Sequence, residues 1–115
     1  MVEYQWGIFW ADLAPTFGSE QAGIRPVLVV SAEEVNQALP IVTILSLTSV
    51  KRGRNIYPVE VLLNSKVTGL PKDSIAMAHQ IRAIAKERLR EKCGRINTDE
   101  VKEQVRTAIK IYLDL

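Results

Sequence analysis

The sequence predicts a mainly β fold of the α+β kind, a small barrel covered by one C-terminal amphipathic helix. Three observations predict it. Short apolar, β-branched runs broken by Gly, Pro and Asn fill roughly the first 85 residues, the pattern of many short strands. The period then changes: Val101, Val105, Ala108, Ile109 and Tyr112 recur at helical spacing, with Lys102, Glu103, Arg106 and Lys110 on the other side. Finally, 115 residues hold one core of ordinary size, so strands and helix form a single domain, 1–115.

Taken in order, strands are expected at 6–13, 26–32, 41–48, 56–63, 74–78 and 80–85. Pro58 cannot donate to a ladder, which pushes the fourth strand toward an edge or a bulge. Short helical turns are expected at 32–37 and near 86–91. Asn97, with Glu100 three residues on, is a candidate cap for the terminal helix. Strands and helix together suggest the helix-covered barrel.

Composition narrows the function classes. A hydrophobic share of 47% and a charged share of 24% are those of an ordinary globular protein. Cys93 is the single cysteine, so no intrachain disulfide or cysteine-rich zinc site can form, and a buried thiol is its expected state. The segment Met1-Val2-Glu3-Tyr4-Gln5 has no basic stretch and no apolar stretch after it, so no signal peptide is read. No apolar run approaches a membrane span, and the expected site of action is the cytoplasm. The formal charge of +2 permits a nucleic-acid partner without arguing for one.

The residues between Leu13 and Pro26 form an unusually long connection for a hairpin, and they include Gly18, Ser19, Glu20, Gln21 and Gly23. Arg25 precedes Pro26 and is biased toward an extended conformation at the mouth of the second strand. If the second and third strands pair about a turn near Asn36, Arg25 lies opposite Thr48, at the sheet end from which the long loop emerges. A guanidinium holds phosphate bidentately and stabilises charge developing on it, and a hydroxyl donates to a phosphate oxygen. That pair suits phosphodiester chemistry but also suits a structural salt bridge beside a surface hydroxyl.

The ordered motifs carry a resemblance. Trp10-Ala11-Asp12-Leu13-Ala14-Pro15 and Gly18-Ser19-Glu20-Gln21-Ala22-Gly23-Ile24-Arg25-Pro26 open it. Leu47-Thr48-Ser49, Leu70-Pro71-Lys72-Asp73-Ser74, Gln80-Ile81-Arg82, Lys86-Glu87-Arg88-Leu89 and Gly94-Arg95-Ile96 follow. Together they make the chain similar to the MazF/PemK family of type II toxin-antitoxin endoribonucleases over nearly its whole length.

The resemblance implies an SH3-like barrel and a homodimer. It further implies a sequence-specific endoribonuclease that cuts single-stranded RNA, mRNA included, without metal or cofactor, and is restrained by a cognate antitoxin. The family's catalytic arginine and threonine fall on Arg25 and Thr48. Ser19, Glu20 and Gln21 belong to the loop motif that shapes the RNA groove. Gln80 and Arg82, two apart on one strand face, are either RNA-binding or structural.

Two positions depart from the family pattern: Trp6-Gly7-Ile8 stands where many relatives have Arg-Gly-Asp, and His79 where an acidic residue is frequent. His79 is read as packing or hydrogen-bonding, with RNA contact as the alternative. Lys51, Arg52 and Arg54 form a basic loop able to follow phosphates, or simply a solvated one. Trp6, Trp10 and Tyr57 are stacking candidates, although packing in a core or dimer interface suits them better.

His79 is the only histidine, so a two-histidine acid–base pair is excluded within one protomer. The expected chemistry is attack by the RNA's own 2′-hydroxyl. Two readings compete with the ribonuclease: a non-catalytic barrel toxin that binds a protein such as gyrase, and an RNA-binding relative that has lost activity.

Overall fold

The computed structural model describes residues 2–115. The elements run β1 (Gly7–Asp12), β2 (Ile24–Val29), α1 (Glu33–Ala38), β3 (Ile41–Ser49), β4 (Glu60–Leu63), α2 (Ser65–Thr68), β5 (Ser74–Ala85), β6 (Leu89–Arg95) and α3 (Asp99–Leu113). A 3₁₀ turn, Lys86–Arg88, joins β5 to β6. The strands lie in the order β4-β5-β3-β2-β1-β6, with every neighbouring pair antiparallel.

Both faces of the central strands are buried, which is why those strands read as continuous apolar runs rather than clean alternation. Ile8, Leu28, Leu45 and Leu47 point one way, into a core that Trp6, Ile96 and the Val105 and Ala108 face of α3 complete. Phe9, Ala11, Val27, Val29, Val42 and Ile44 point the other way, into a second core closed by Leu13 and Ile84.

Several expectations are corrected. The fourth strand begins only at Glu60, because the Glu60 carboxylate accepts the Tyr57 amide at 3.1 Å and holds the segment around Pro58 out of the ladder. The two strands expected at 74–78 and 80–85 are one strand with a pronounced bulge. Ile44 faces Arg82, yet Ser46 faces Met77, so residues 78–81 oppose Leu45 alone. The helical turn expected at 86–91 ends at Arg88, and residues 89–95 form β6, an edge strand whose charged, exposed pattern hid it. Helix α2, capped by the Asn64 side chain onto the Lys66 amide at 3.0 Å, was not foreseen. The cap of α3 is Thr98 rather than Asn97, and Tyr112 lies exposed at its end.

Cys93 is half-buried rather than buried, its thiol donating to the Ile8 carbonyl at 3.5 Å. Desolvation pushes its pKa up, which keeps it an unreactive thiol. No helix among the described residues is long and apolar enough to cross a membrane.

Candidate functional site

The rim where β2 begins and β3 ends is the candidate site. The β2–β3 ladder pairs Val27 with Ser46, Leu28 with Leu45 and Val29 with Ile44. Carried two residues further, that register sets Arg25 opposite Thr48. Directly opposed residues share a sheet face, so guanidinium and hydroxyl project to the same side as Val27 and Ser46. The recorded ladder stops at Val27 because Pro26 has no N–H. β2 and β3 are therefore unpaired with each other at this rim, although Arg25 still pairs with Ala11 of β1 and Thr48 with Ile75 of β5, and both residues are half-buried.

Arg25 is aimed by its own loop. Its Nε donates to the Ala22 carbonyl at 2.9 Å, which fixes the plane of the guanidinium. No partner is recorded for its two terminal nitrogens among the described residues, so they are available to an anion.

The loop of residues 13–23 is tied down at several points. The Leu13 amide donates to the Gly23 carbonyl at 2.9 Å and closes its base. Gly23, at φ 79°, takes a left-handed turn there that other residues rarely adopt. Arg88 donates to the carbonyls of Asp12 at 3.1 Å and Ala14 at 2.6 Å. Glu20 accepts the Phe17 amide at 2.8 Å, so its carboxylate shapes the loop tip. Gln80 reaches across from the β5 bulge and bonds both the Gln21 amide and the Ser19 carbonyl.

The basic loop after β3 divides. Lys51 and Arg52 are exposed. Arg54 is engaged instead with Glu60, as a bidentate pair at 3.0 and 2.7 Å, and it also donates to the Asn55 carbonyl. The Glu60 side chain is only 1% exposed. The Arg54 hydrogen bonds outweigh its desolvation and hold its pKa below the ordinary carboxylate range.

Among the described residues, four buried polar atoms have no protein partner: Gln21 Oε1, Ser46 Oγ, His79 Nδ1 and Arg82 Nη1. Register places Ser46 and Arg82 on the Arg25 face, since Val27 pairs with Ser46 and Ile44 with Arg82. Unpaired buried groups are uncommon, and each one favours a ligand or water that satisfies it. Ser46 was missed from the sequence. The available signal was a lone hydroxyl in Ile44-Leu45-Ser46-Leu47, on the same strand face as Thr48.

The aromatic candidates separate as well. Trp6 is a packing residue, 7% exposed, with Lys102 and Arg106 stacked against its ring at 5.7 and 5.2 Å. The Trp6-Gly7-Ile8 opening is thus part of a core, because Ile8 is also fully buried. Trp10 and Tyr57 remain exposed; Trp10 borders an apolar groove with Pro26, Leu70 and Pro71 on the sheet face opposite Arg25.

A small SH3-like barrel whose rim offers a fixed guanidinium, a hydroxyl and unpaired polar atoms defines the class: a compact anion-binding domain suited to nucleic acid. The family described as PemK-like, MazF-like toxin of type II toxin-antitoxin system matches residues 4–113, and the chain belongs to it. It is 34% identical to "Endoribonuclease EndoA" of Bacillus subtilis over 115 residues, covering 100% of this chain and 97% of that one. It is 39% identical to "Endoribonuclease MazF9" of Mycobacterium tuberculosis over 113 residues, covering 94% and 93% respectively. Among solved structures, MazF of Deinococcus radiodurans aligns with a TM-score of 0.82 at 25% identity, over 100% of this chain and 99% of that one.

Proposed function

We propose that this toxin is an endoribonuclease that cuts single-stranded RNA, mRNA included, at short specific sequences, with Arg25 and Thr48 at the reacting phosphate. The observation that supports the reading is the β2–β3 register, Val27 with Ser46, which carried two residues further sets Arg25 across from Thr48 on one sheet face. Family membership and the endoribonuclease relatives give the same direction.

The RNA supplies its own nucleophile. The 2′-hydroxyl oxygen bonds to the adjacent phosphorus and its proton departs. The bond from phosphorus to the 5′ oxygen breaks, and that oxygen takes up a proton. The products are a 2′,3′-cyclic phosphate and a 5′-hydroxyl, and no water is consumed. The free Arg25 nitrogens face the extra negative charge of the five-coordinate phosphorus, while the Thr48 hydroxyl holds a non-bridging oxygen. Donors fixed before the reaction stabilise developing charge without reorganising. Ser19, Glu20 and Gln21 wall the groove, Lys51 and Arg52 follow the phosphates, and Gln80, within the bulge, and Arg82, at its end, lie beside it.

A cognate antitoxin restrains the activity, the active unit is a homodimer, and the toxin works in the cytoplasm, where its RNA is found. The reaction as drawn uses no metal or cofactor.

Incubation with long, unstructured RNA in excess chelator tests the reading. Cleavage is expected at a few sites, with 5′-hydroxyl ends whose sequencing gives the recognition sequence. A single deoxyribose at the cut site should abolish it. Intact RNA after prolonged incubation, or cleavage of the deoxyribose substrate, would overturn the proposal.

A further inference from the structure

Gln80 is placed by the β5 bulge, where residues 78–81 face Leu45 alone and the strand bows away from β3. Its side-chain amide makes two hydrogen bonds, both to the loop. Oε1 accepts the Gln21 N–H at 3.3 Å, and Nε2 donates to the Ser19 carbonyl at 3.1 Å. The partners are 59 and 61 residues away in sequence, so this is a tertiary clasp rather than local turn chemistry.

We propose that Gln80 is a positioning residue, a latch that holds the 13–23 loop against the barrel and through it sets the direction of Arg25. The inference rests on the ribonuclease reading and deepens it, because it assigns Gln80 to the loop rather than to RNA.

The connection to Arg25 is short. Gln80 fixes residues 19 and 21, the next residue is Ala22, and the Ala22 carbonyl receives the Arg25 Nε proton at 2.9 Å. If the clasp opens, the acceptor that orients the guanidinium moves with the loop.

Among the described residues, no other hydrogen bond ties the loop tip to the barrel. Phe17 is 83% exposed, and Gly18, Ser19 and Glu20 are exposed too, so no apolar packing keeps the tip down. The remaining ties, from Arg88 and from the Leu13–Gly23 bond, secure only the base. A primary amide is well suited to the task, since one planar group offers an acceptor and a donor side by side. A carboxylate keeps the acceptor for Gln21 but faces the Ser19 carbonyl with like partial charge.

The test uses the intact protein with Q80A and Q80E. Hydrogen exchange over 16–23, read without RNA, is expected to speed up about threefold to tenfold in both variants, as loss of a modest net hydrogen bond requires. Cleavage by Q80A is expected to fall by about 10- to 100-fold in kcat, since small misplacement of a reacting group is expensive. Affinity for an uncleavable RNA carrying deoxyribose at the cut site should fall by much less than kcat does, because the groove wall loosens while Gln80 itself touches no ligand.

Unchanged exchange over 16–23 in both variants overturns the latch. So does an affinity loss as large as the loss in kcat/KM, which would make Gln80 an RNA contact. If wild-type protein cuts no RNA while the variants still loosen the loop, the ribonuclease reading fails and the latch stands.

Discussion

Arg25 donates its Nε–H to the carbonyl of Ala22, three residues back along the chain, at 2.9 Å. That one bond turns a long flexible side chain into a fixed fork with its terminal nitrogens free. A lysine at this position has one ammonium with three rotatable donors and lacks the planar fork that an anchored Nε holds in place.

Arg25→Lys should therefore resemble Arg25→Ala, both losing roughly 10²- to 10³-fold in cleavage rate, the usual scale for removing one fixed charge-stabilising donor. Thr48→Val, which keeps shape but removes the hydroxyl, should lose activity, and Thr48→Ser should retain most of it. Single-turnover cleavage of one defined RNA measures all four. A lysine variant near wild type would show that charge alone suffices.

The basic loop separates binding from structure. Glu60, with its side chain 1% exposed, is compensated by Arg54, whose side chain is 27% exposed. Arg54→Ala leaves a buried carboxylate without its counter-charge, and unfolding measurements should show a clear loss of stability. Lys51→Ala and Arg52→Ala should leave stability within about 0.5 kcal/mol. Each should instead lower the salt slope of single-strand affinity by about 0.7 per lost phosphate contact. Equal slopes for wild type and both variants would remove Lys51 and Arg52 from the RNA path.

The difference between Arg54 and its two basic neighbours marks how far the sequence could be read. Lys51, Arg52 and Arg54 are alike as sequence; only the fold reveals that a carboxylate six residues on from Arg54 is buried beside it. The β2–β3 hairpin register was legible, because two adjacent apolar strands, a short connection and period-two alternation determine it. Ser46 and His79 were harder, since their importance lies in what fails to bond with them. β6 was hidden because an exposed edge strand rich in Arg, Lys and Glu carries no apolar alternation. The β5 bulge was hidden too, as an apolar run gives no sign of where its ladder slips.

Acid should release the N-terminal segment. Glu33 accepts the Gln5 amide at 2.8 Å, the Tyr4 amide at 3.1 Å, and the side-chain amides of Gln37 at 2.7 Å and Asn36 at 3.2 Å. Burial alone would raise its pKa, but these bonds more than reverse that and bring it from 4.5 to about 2. A depressed carboxylate pKa adds stability that is complete above the unfolded value and is lost as pH falls through the folded one. Wild type should therefore shed this contribution between about pH 4.5 and about pH 2. Glu33→Gln should melt lower than wild type at neutral pH, and the gap should close across that window. A gap that stays constant from pH 7 to pH 2 would assign the effect to packing rather than charge.

α2 and β6 meet at a close seam. A Cβ built on Gly94 would lie 2.6 Å from the Thr68 carbonyl oxygen, 3.4 Å from Leu70 Cδ2 and 3.5 Å from Ile8 Cδ1. The first contact is with backbone and cannot be relieved by turning a side chain, so α2 or β6 has to move. Gly94→Ala should then destabilise by about 1–3 kcal/mol, the scale of overpacking, although alanine is otherwise the better residue for lowering chain entropy. β6 pairs only with β1, and Ile8 faces Gly94 across that pair. The strain should therefore appear as faster hydrogen exchange in β6 and β1, with β3 and β5 little changed. Denaturant unfolding and exchange of the alanine variant measure both effects. A variant as stable as wild type would mean that α2 yields freely and that this close approach is not a constraint on the barrel.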